Sequence, residues 1–307
     1  PARRRGRSPG AHGDEPVSIH PTAVVDPAAK LGADVTVGPY AVVEAGVTVG
    51  DGSSVGAHVV LHTGCHLGRN VVVAPHAVLG GAPQHLDFRG QPSGVTIGDG
   101  TVIREHVSIH RSFEEGGETR IGRECFIMAL AHVGHDCQIG DGVILTSYVG
   151  LSGHVTMGDQ VMVGGHTAFH QFVRVGRLAM VSGTSRVVKD VPPYVIAEGN
   201  PCRIRGLNVV GLRRAGMPAA TRDELKRAYR LLFRSGINVN QALEAIRAEV
   251  GPNDAVDHLV VFVEASERGI TPGASFGHAQ TPGRGGGSRG RDAPWRPLGR
   301  DRGGGGA

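Results

Sequence analysis

The chain has 307 residues, 49 of them glycine and only 4 % aromatic, with four cysteines, a formal net charge of +4 and a pI near 9.1. That composition excludes a core built on large rings and leaves aliphatic side chains and frequent turns as the building material. No apolar run reaches the roughly 18 residues of a membrane-spanning helix, and the scattered cysteines (Cys65, Cys125, Cys137, Cys202) have no C-x-x-C spacing, so reduced cytoplasmic thiols are expected rather than a disulfide framework or a thiolate zinc site.

Residues 1–16, beginning PARRRGRSPG, are basic, lack the apolar stretch of a secretory signal and read as a disordered extension. From Ile19 to Val187 every sixth residue is then Ile, Leu, Val, Met or Phe in one phase; His85, Gln91 and Glu115 are the misses. No helix has that period and a simple strand repeats at two, so the pattern predicts a parallel β-solenoid with one short strand and a turn per hexad. Three hexads make a triangular coil of 18 residues, and coils stack about 4.8 Å apart, which puts residues i and i+18 above each other. Glycine often follows the apolar residue, as in GDG at Gly50–Gly52, Gly98–Gly100 and Gly140–Gly142, where the backbone must turn.

Two segments, 80–94 and 110–120, lose the pattern before it resumes in phase; each reads as a loop thrown out from a corner, and loops of that kind usually carry function. The solenoid, 17–198, is expected to end near VPPYVIAEGNP, because Pro192 and Pro193 cannot continue a ladder. A basic helical domain follows over 199–269. Thr221 and Glu224 give a capping-box signal, Leu225, Tyr229, Leu232 and Phe233 share a face, and Gly236 stops this first helix. Further helices read over Asn240–Val250 and Asp254–Glu267. Residues 270–307, rich in Arg and Gly, read as a disordered tail similar to RGG segments, with a solvated tail of no role as the simpler reading.

Polar residues of interest concentrate in ALAHVGHDC, LSGHV and GGHTAFHQF. The 18-residue coil stacks His135, Gly153 and Gln171 in one column and Asp136, His154 and Phe172 in the next, with His170 beside Gln171. Imidazoles, a carboxylate, an amide and a glycine N–H on one patch are the inventory for activating a hydroxyl and stabilising an oxyanion. Zinc held by histidines spaced as His132/His135 and His166/His170 is the competing chemistry, as in hexapeptide-repeat carbonic anhydrases. Corner histidines such as His58, His62, His66 and His76 show that a His here also serves merely as a turn residue.

IHPTAVV, IREHVSIHR, AHVGHDC, LSGHV, HQFVRVG, DVPPYVIAEGNP and GLNVVGLRRAG together resemble the acyl-carrier-protein:UDP-N-acetylglucosamine O-acyltransferase family that opens lipid A synthesis, over about 17–268. The resemblance implies a left-handed parallel β-helix, an exception to the usual right-handed crossover, with a small C-terminal helical domain. It also implies a cytoplasmic homotrimer with active sites between subunits, and an acyl carrier protein delivering a 3-hydroxyacyl chain to UDP-N-acetylglucosamine. No cofactor, metal, nucleic acid or integral membrane contact is implied. By position, His135 matches the general base, Asp136 the residue that orients it, and Gly153 the oxyanion donor. His132, His154, His170 and Gln171 match residues lining the substrate cleft, as do His110 and Gln84. Asn208 and Arg214 match groups near the UDP or pantetheine phosphates, and Gly183 the floor of an acyl groove left open to longer chains.

The sequence departs from that family in the first loop, where Gln-Asp-Leu-Lys is replaced by Gln84-His85-Leu86-Asp87, and at Val210, where a Glu is usual. In the family the loop side chains normally touch the acceptor sugar and the acyl chain, and the Glu contacts the nucleotide, so an amide-forming variant using a 3-amino sugar nucleotide stays open. The related N-acyltransferase carries an extra N-terminal domain, against which the hexads beginning at Ile19 argue. A non-catalytic scaffold is the remaining alternative.

Overall fold

The computed structural model describes residues 17–251 and 253–274. The extension predicted at 1–16, and all but the first five residues of the tail predicted at 270–307, lie outside them.

Each hexad forms one strand, as in Ser18–Ile19, Val24–Val25 and Lys30–Leu31, and three complete a turn. Successive turns pair in parallel with Ser18 against Thr36, Val24 against Val42 and Lys30 against Thr48, building faces of 11, 9 and 8 strands in a left-handed β-helix. The apolar in-phase residues from Val37 to Val187 are buried as predicted, whereas in the first coil Ile19 is exposed and Val25 and Leu31 are half-buried. A second inward column lies two residues earlier in each hexad and holds smaller side chains, among them Val35, Ala41, Val47 and Val59. Cys65, Cys125 and Cys137 belong to it, which is why these three are buried although they look scattered in the sequence; Cys202, beyond the hexads, is buried as well, and all four are free. Hydroxyls in the same column bridge coils: Ser53 donates to the Gly68 carbonyl at 3.0 Å and Thr101 to the Gly122 carbonyl at 2.8 Å.

The loops leave the phase intact because they add whole hexads. Facing residues are 18 apart in a regular coil (Ala33 and Asp51), 30 apart across the first loop (Arg69 and Asp99) and 24 apart across the second (Ser108 and His132).

Outward residues distinguish the faces. The first face carries an apolar stripe in register, Val72, Val102, Phe126, Ile144, Met162, Met180 and Ile196. The second presents His132, Gly150 and Ala168. The third is polar, with Thr48, His66, Thr96 and Arg120. Val191 bridges Val175, the prolines interrupt the ladder, and Val195–Glu198 makes the last parallel strand before turning antiparallel into Arg203–Leu207.

Four helices follow: α1 (Val209–Arg214), α2 (Ala219–Arg234), α3 (Val239–Glu249) and α4 (Asp254–Glu264). The sequence pattern missed α1, a short helix capped by the Asn208 side chain accepting from the Gly211 N–H at 3.0 Å. It also misplaced the α2 cap. The helix begins directly after Pro218, so Thr221 lies inside the first turn, and Glu224 pairs with Arg227 instead. The capping box belongs to α3, from Asn238 and Gln241, and α4 stops three residues before the predicted end at Glu267. Leu225, Ala228, Tyr229 and Leu232 form the buried stripe of α2; Tyr229 packs into the solenoid core, while Leu178 and Tyr194 of the solenoid pack among the helices. Beyond α4 the chain returns to the solenoid, with Thr271 N–H donating to Asp190 at 2.7 Å and Ala274 N–H to Ile204 at 2.9 Å.

Candidate active site

The predicted columns meet where the second face turns into the third. Asp136, His154 and Phe172 occupy the left-handed turn positions of successive coils, with φ of 61°, 61° and 64°. His135 is 8 % exposed. Its Nδ1 lies 2.6 Å from Asp136 Oδ2, an arrangement in which Nδ1–H donates to the carboxylate and the Nε2 lone pair is left free. The ring lies flat over Gly153: a methyl there would come within 2.6 Å of its Cε1 and Nε2. Glycine at 153 is therefore a packing requirement, and its N–H has no acceptor among the described residues.

Asp136 is held from several sides. Ser112 donates to Oδ1, the Phe113 N–H to Oδ2 at 3.1 Å, and the Asp136 N–H donates to the Thr119 hydroxyl at 2.8 Å. Burial is the largest single influence and pushes the Asp136 carboxyl up, but the donors from Ser112, His135 and Phe113 prevail and hold it below its ordinary 3.8. Sequence reasoning missed Ser112, Phe113 and Thr119. Only the lapse of the hexad at 110–120 pointed there, because the loop makes this coil 24 residues long and the 18-residue rule leads from Asp136 to 118 instead.

A depression of about 430 Å³ opens beside this pair, lined by Gln84, His85, His110, His132, His135, Gly153 and Gln171 among others. Burial, with a smaller push from His135, lowers the His132 imidazole below its ordinary 6.5; burial and His132 do the same to His110. His132 Nδ1 lies 2.9 Å from the Ser108 hydroxyl. His85, at a departure from the family loop, sits 4.1 Å from the Phe113 ring and edge-on to His135 at 5.7 Å. Asp87 stays exposed and pairs with Arg89 at 3.6 Å.

The other predicted residues lie outside this lining. His154 stacks on Phe172 at 4.5 Å, 3.7 Å from Asp136 Oδ2, and burial lowers its imidazole. His170 is exposed and takes a hydrogen bond from Arg268 at 3.0 Å. Gly183 lies against Gly165, whose carbonyl would be 3.1 Å from an added methyl. Asn208 is buried and spends its carboxamide on the Leu178 carbonyl and the Gly211 N–H; Arg214 is exposed on α1, as is Val210. His135, Asp136 and His154 offer three ligand atoms within 4.8 Å of one another. The carboxylate among them already accepts three protein donors, which commits it to orienting His135.

A family profile described as UDP N-acetylglucosamine O-acyltransferase, domain 2, matches residues 190–271, and one for bacterial transferase hexapeptide repeats matches 28–63, 46–81 and 118–153. The acyl-[acyl-carrier-protein]–UDP-N-acetylglucosamine O-acyltransferase of Burkholderia orbicola is 46 % identical over 257 residues, 82 % of this chain and 98 % of that protein. The same enzyme from an Anaeromyxobacter species is 44 % identical over 256 residues, 83 % of this chain and all of that one. The chain belongs to this acyltransferase family. Its structure agrees: the UDP-N-acetylglucosamine acyltransferase of Bacteroides fragilis superposes with a TM-score of 0.80 at 35 % identity, covering 82 % of this chain and 98 % of that one. That of Francisella novicida gives 0.80 at 32 % identity over 83 % and 94 %. Membership makes the chain an enzyme of acyl transfer and removes the scaffold and carbonic anhydrase readings.

Proposed function

We propose that the chain moves a 3-hydroxyacyl group from acyl carrier protein to the 3-hydroxyl of UDP-N-acetylglucosamine, the first step of lipid A synthesis, in the cytoplasm. The observation that carries the mechanism is the His135–Asp136 pair beside an open depression and a free Gly153 N–H. His135 Nε2 takes the sugar hydroxyl proton as the oxygen attacks the thioester carbonyl. The Gly153 N–H stabilises the oxyanion, the C–S bond breaks as the ester forms, and the proton passes to the departing thiolate. Among the described residues no helix is long and apolar enough to cross a membrane.

The working form is a homotrimer. The apolar stripe of the first face, with Val72 42 % and Met162 41 % exposed, is not covered by the described residues. Set against the second face of a neighbour, it would cover the depression and supply the dry wall an acyl chain needs. Gly183 leaves the acyl groove open to longer chains. His85 and Asp87 alter the acceptor side, so the product bond is part of the test.

Incubating the protein with acyl carrier proteins of several chain lengths and with UDP-N-acetylglucosamine or its 3-amino analogue, and weighing the products, decides these points. The expected product is an ester, with about C14 preferred over about C10, and His135→Ala loses about 10² or more in kcat while remaining trimeric. Unchanged transfer by His135→Ala sinks the mechanism, and a preference for the amino sugar corrects the acceptor.

A further inference from the structure

Loop 111–117 interrupts the solenoid, and its chemistry converges on one carboxylate. Ser112 is fully buried yet belongs to neither inward column, so the coil interior does not require it. Its Oγ accepts the Glu114 N–H at 3.0 Å and donates to Asp136 Oδ1, the Glu114 carbonyl being a longer alternative acceptor at 3.4 Å. Interior hydroxyls such as Ser53, Thr101 and Thr167 donate to main-chain carbonyls instead. The next residue of the loop, Phe113, supplies an N–H to Oδ2, the same oxygen that faces His135. The loop thus grips both oxygens of Asp136.

We infer that Ser112 is a positioning residue for the transfer reaction, fixing the Asp136 carboxylate so that it holds His135 with Nδ1 protonated and Nε2 free. This rests on the general-base role given to His135 above. A serine that fills space only would act on the fold. A serine that acts through Asp136 has no further effect once Asp136 can no longer carry charge.

The test uses the full chain with Ser112→Ala and the near-isosteric Ser112→Cys, each alone and combined with Asp136→Asn. The single variants are expected to lower kcat about tenfold or more with KM for both substrates within about twofold, and the double variants to be no slower than Asp136→Asn. The ring-nitrogen NMR spectrum of His135, in protein labelled at histidine, is expected to lose Nδ1–H tautomer in both single variants. Rate losses that multiply in the double variants, or a His135 spectrum that does not move, overturn the inference. If Ser112→Ala does not fold, Ser112→Cys carries the same readouts. The spectrum is read without substrate, so it judges the Ser112 grip even if His135→Ala shows that the base lies elsewhere.

Discussion

At the scale of single residues, the depression is an unusual solvent for histidine. His85, His110, His132 and His135 line it and no carboxylate among the described residues does, so imidazoles dominate the proposed acceptor site. Burial keeps His132 and His110 below their ordinary 6.5, and at neutral pH they act as neutral hydrogen-bonding groups. This has a signed consequence for stability. An imidazole whose folded pKa is lowered binds its proton more readily in the unfolded chain, so its contribution is complete above the unfolded value and is lost as pH falls from there through the folded value. The urea midpoint is therefore expected to fall between about pH 7.5 and about pH 5.5, and to fall less in His132→Gln, which has nothing to titrate at that position. An equal pH dependence in parent and variant would remove His132 from the account.

At the scale of elements, the corner between the first and second faces breaks a local rule. Its left-handed positions carry Tyr40, His58, His76, His106, Leu130, Tyr148, His166 and Thr184, all with φ between 54° and 63°. The other corners mix glycine (Gly46, Gly52, Gly64, Gly100, Gly142) with residues such as Asp34, Asn70, Asp136, His154 and Phe172 at equivalent positions, whereas none of these left-handed positions at the first corner is glycine. An L-residue there costs about 1–2 kcal/mol against glycine's freedom. Stacking of Tyr40, His58, His76 and His106 at 4.8–5.0 Å repays part of it, but Leu130 is 43 % exposed. The trimer proposed above would run a subunit seam along this edge and supply the missing contact, since it would join the apolar first face to the second. Leu130→Gly is then expected to leave folding nearly unchanged, because relief of the turn offsets the roughly 0.5–1 kcal/mol entropy cost of glycine. It should also shift trimer dissociation to about tenfold higher protein concentration in sedimentation runs, at about 1.4 kcal/mol of lost contact. A trimer as resistant to dilution as the parent places the seam elsewhere. The same level shows where the sequence was legible. The hexad fixed coil, phase and the His135–Gly153–Gln171 column because each depends only on an 18-residue rise. Ser112 was hidden because its coil has 24 residues, and α1 because six residues with one buried side chain, Leu212, carry no period to read. The cap of α2 was misread because Thr and Glu at the right spacing also occur inside a helix that a preceding proline has already started.

At the scale of the whole molecule, charge is partitioned. Asp51, Asp99, Asp141 and Asp159 are spent within the solenoid, each accepting a main-chain N–H of the preceding coil at 2.8–3.0 Å. At the helical end Arg213, Lys226 and Arg230 are exposed, while Arg222 and Arg234 are half-buried and donate to main-chain carbonyls. There Arg213, Arg222, Lys226, Arg230 and Arg234 surround a cavity of 420 Å³ whose floor is Leu207, Leu212 and Tyr229, with Asp223 as its acid. A basic rim over an apolar floor suits an acidic, amphipathic helical partner, and the donor proposed here is a carrier protein rather than a small thioester. Such a rim acts first on encounter and orientation, through a field screened over about 10 Å at 0.1 M salt. Lys226→Glu with Arg230→Glu should therefore raise KM for acyl carrier protein about tenfold while leaving kcat and KM for the sugar nucleotide within about twofold, and the gap should narrow as salt rises. An acyl-pantetheine thioester without the carrier protein makes no contact with the rim, so its turnover is expected to be the same in parent and variant. A parallel loss with that small donor would mean that the charges act on the fold or on the reacting groups, and that the carrier protein docks on another surface.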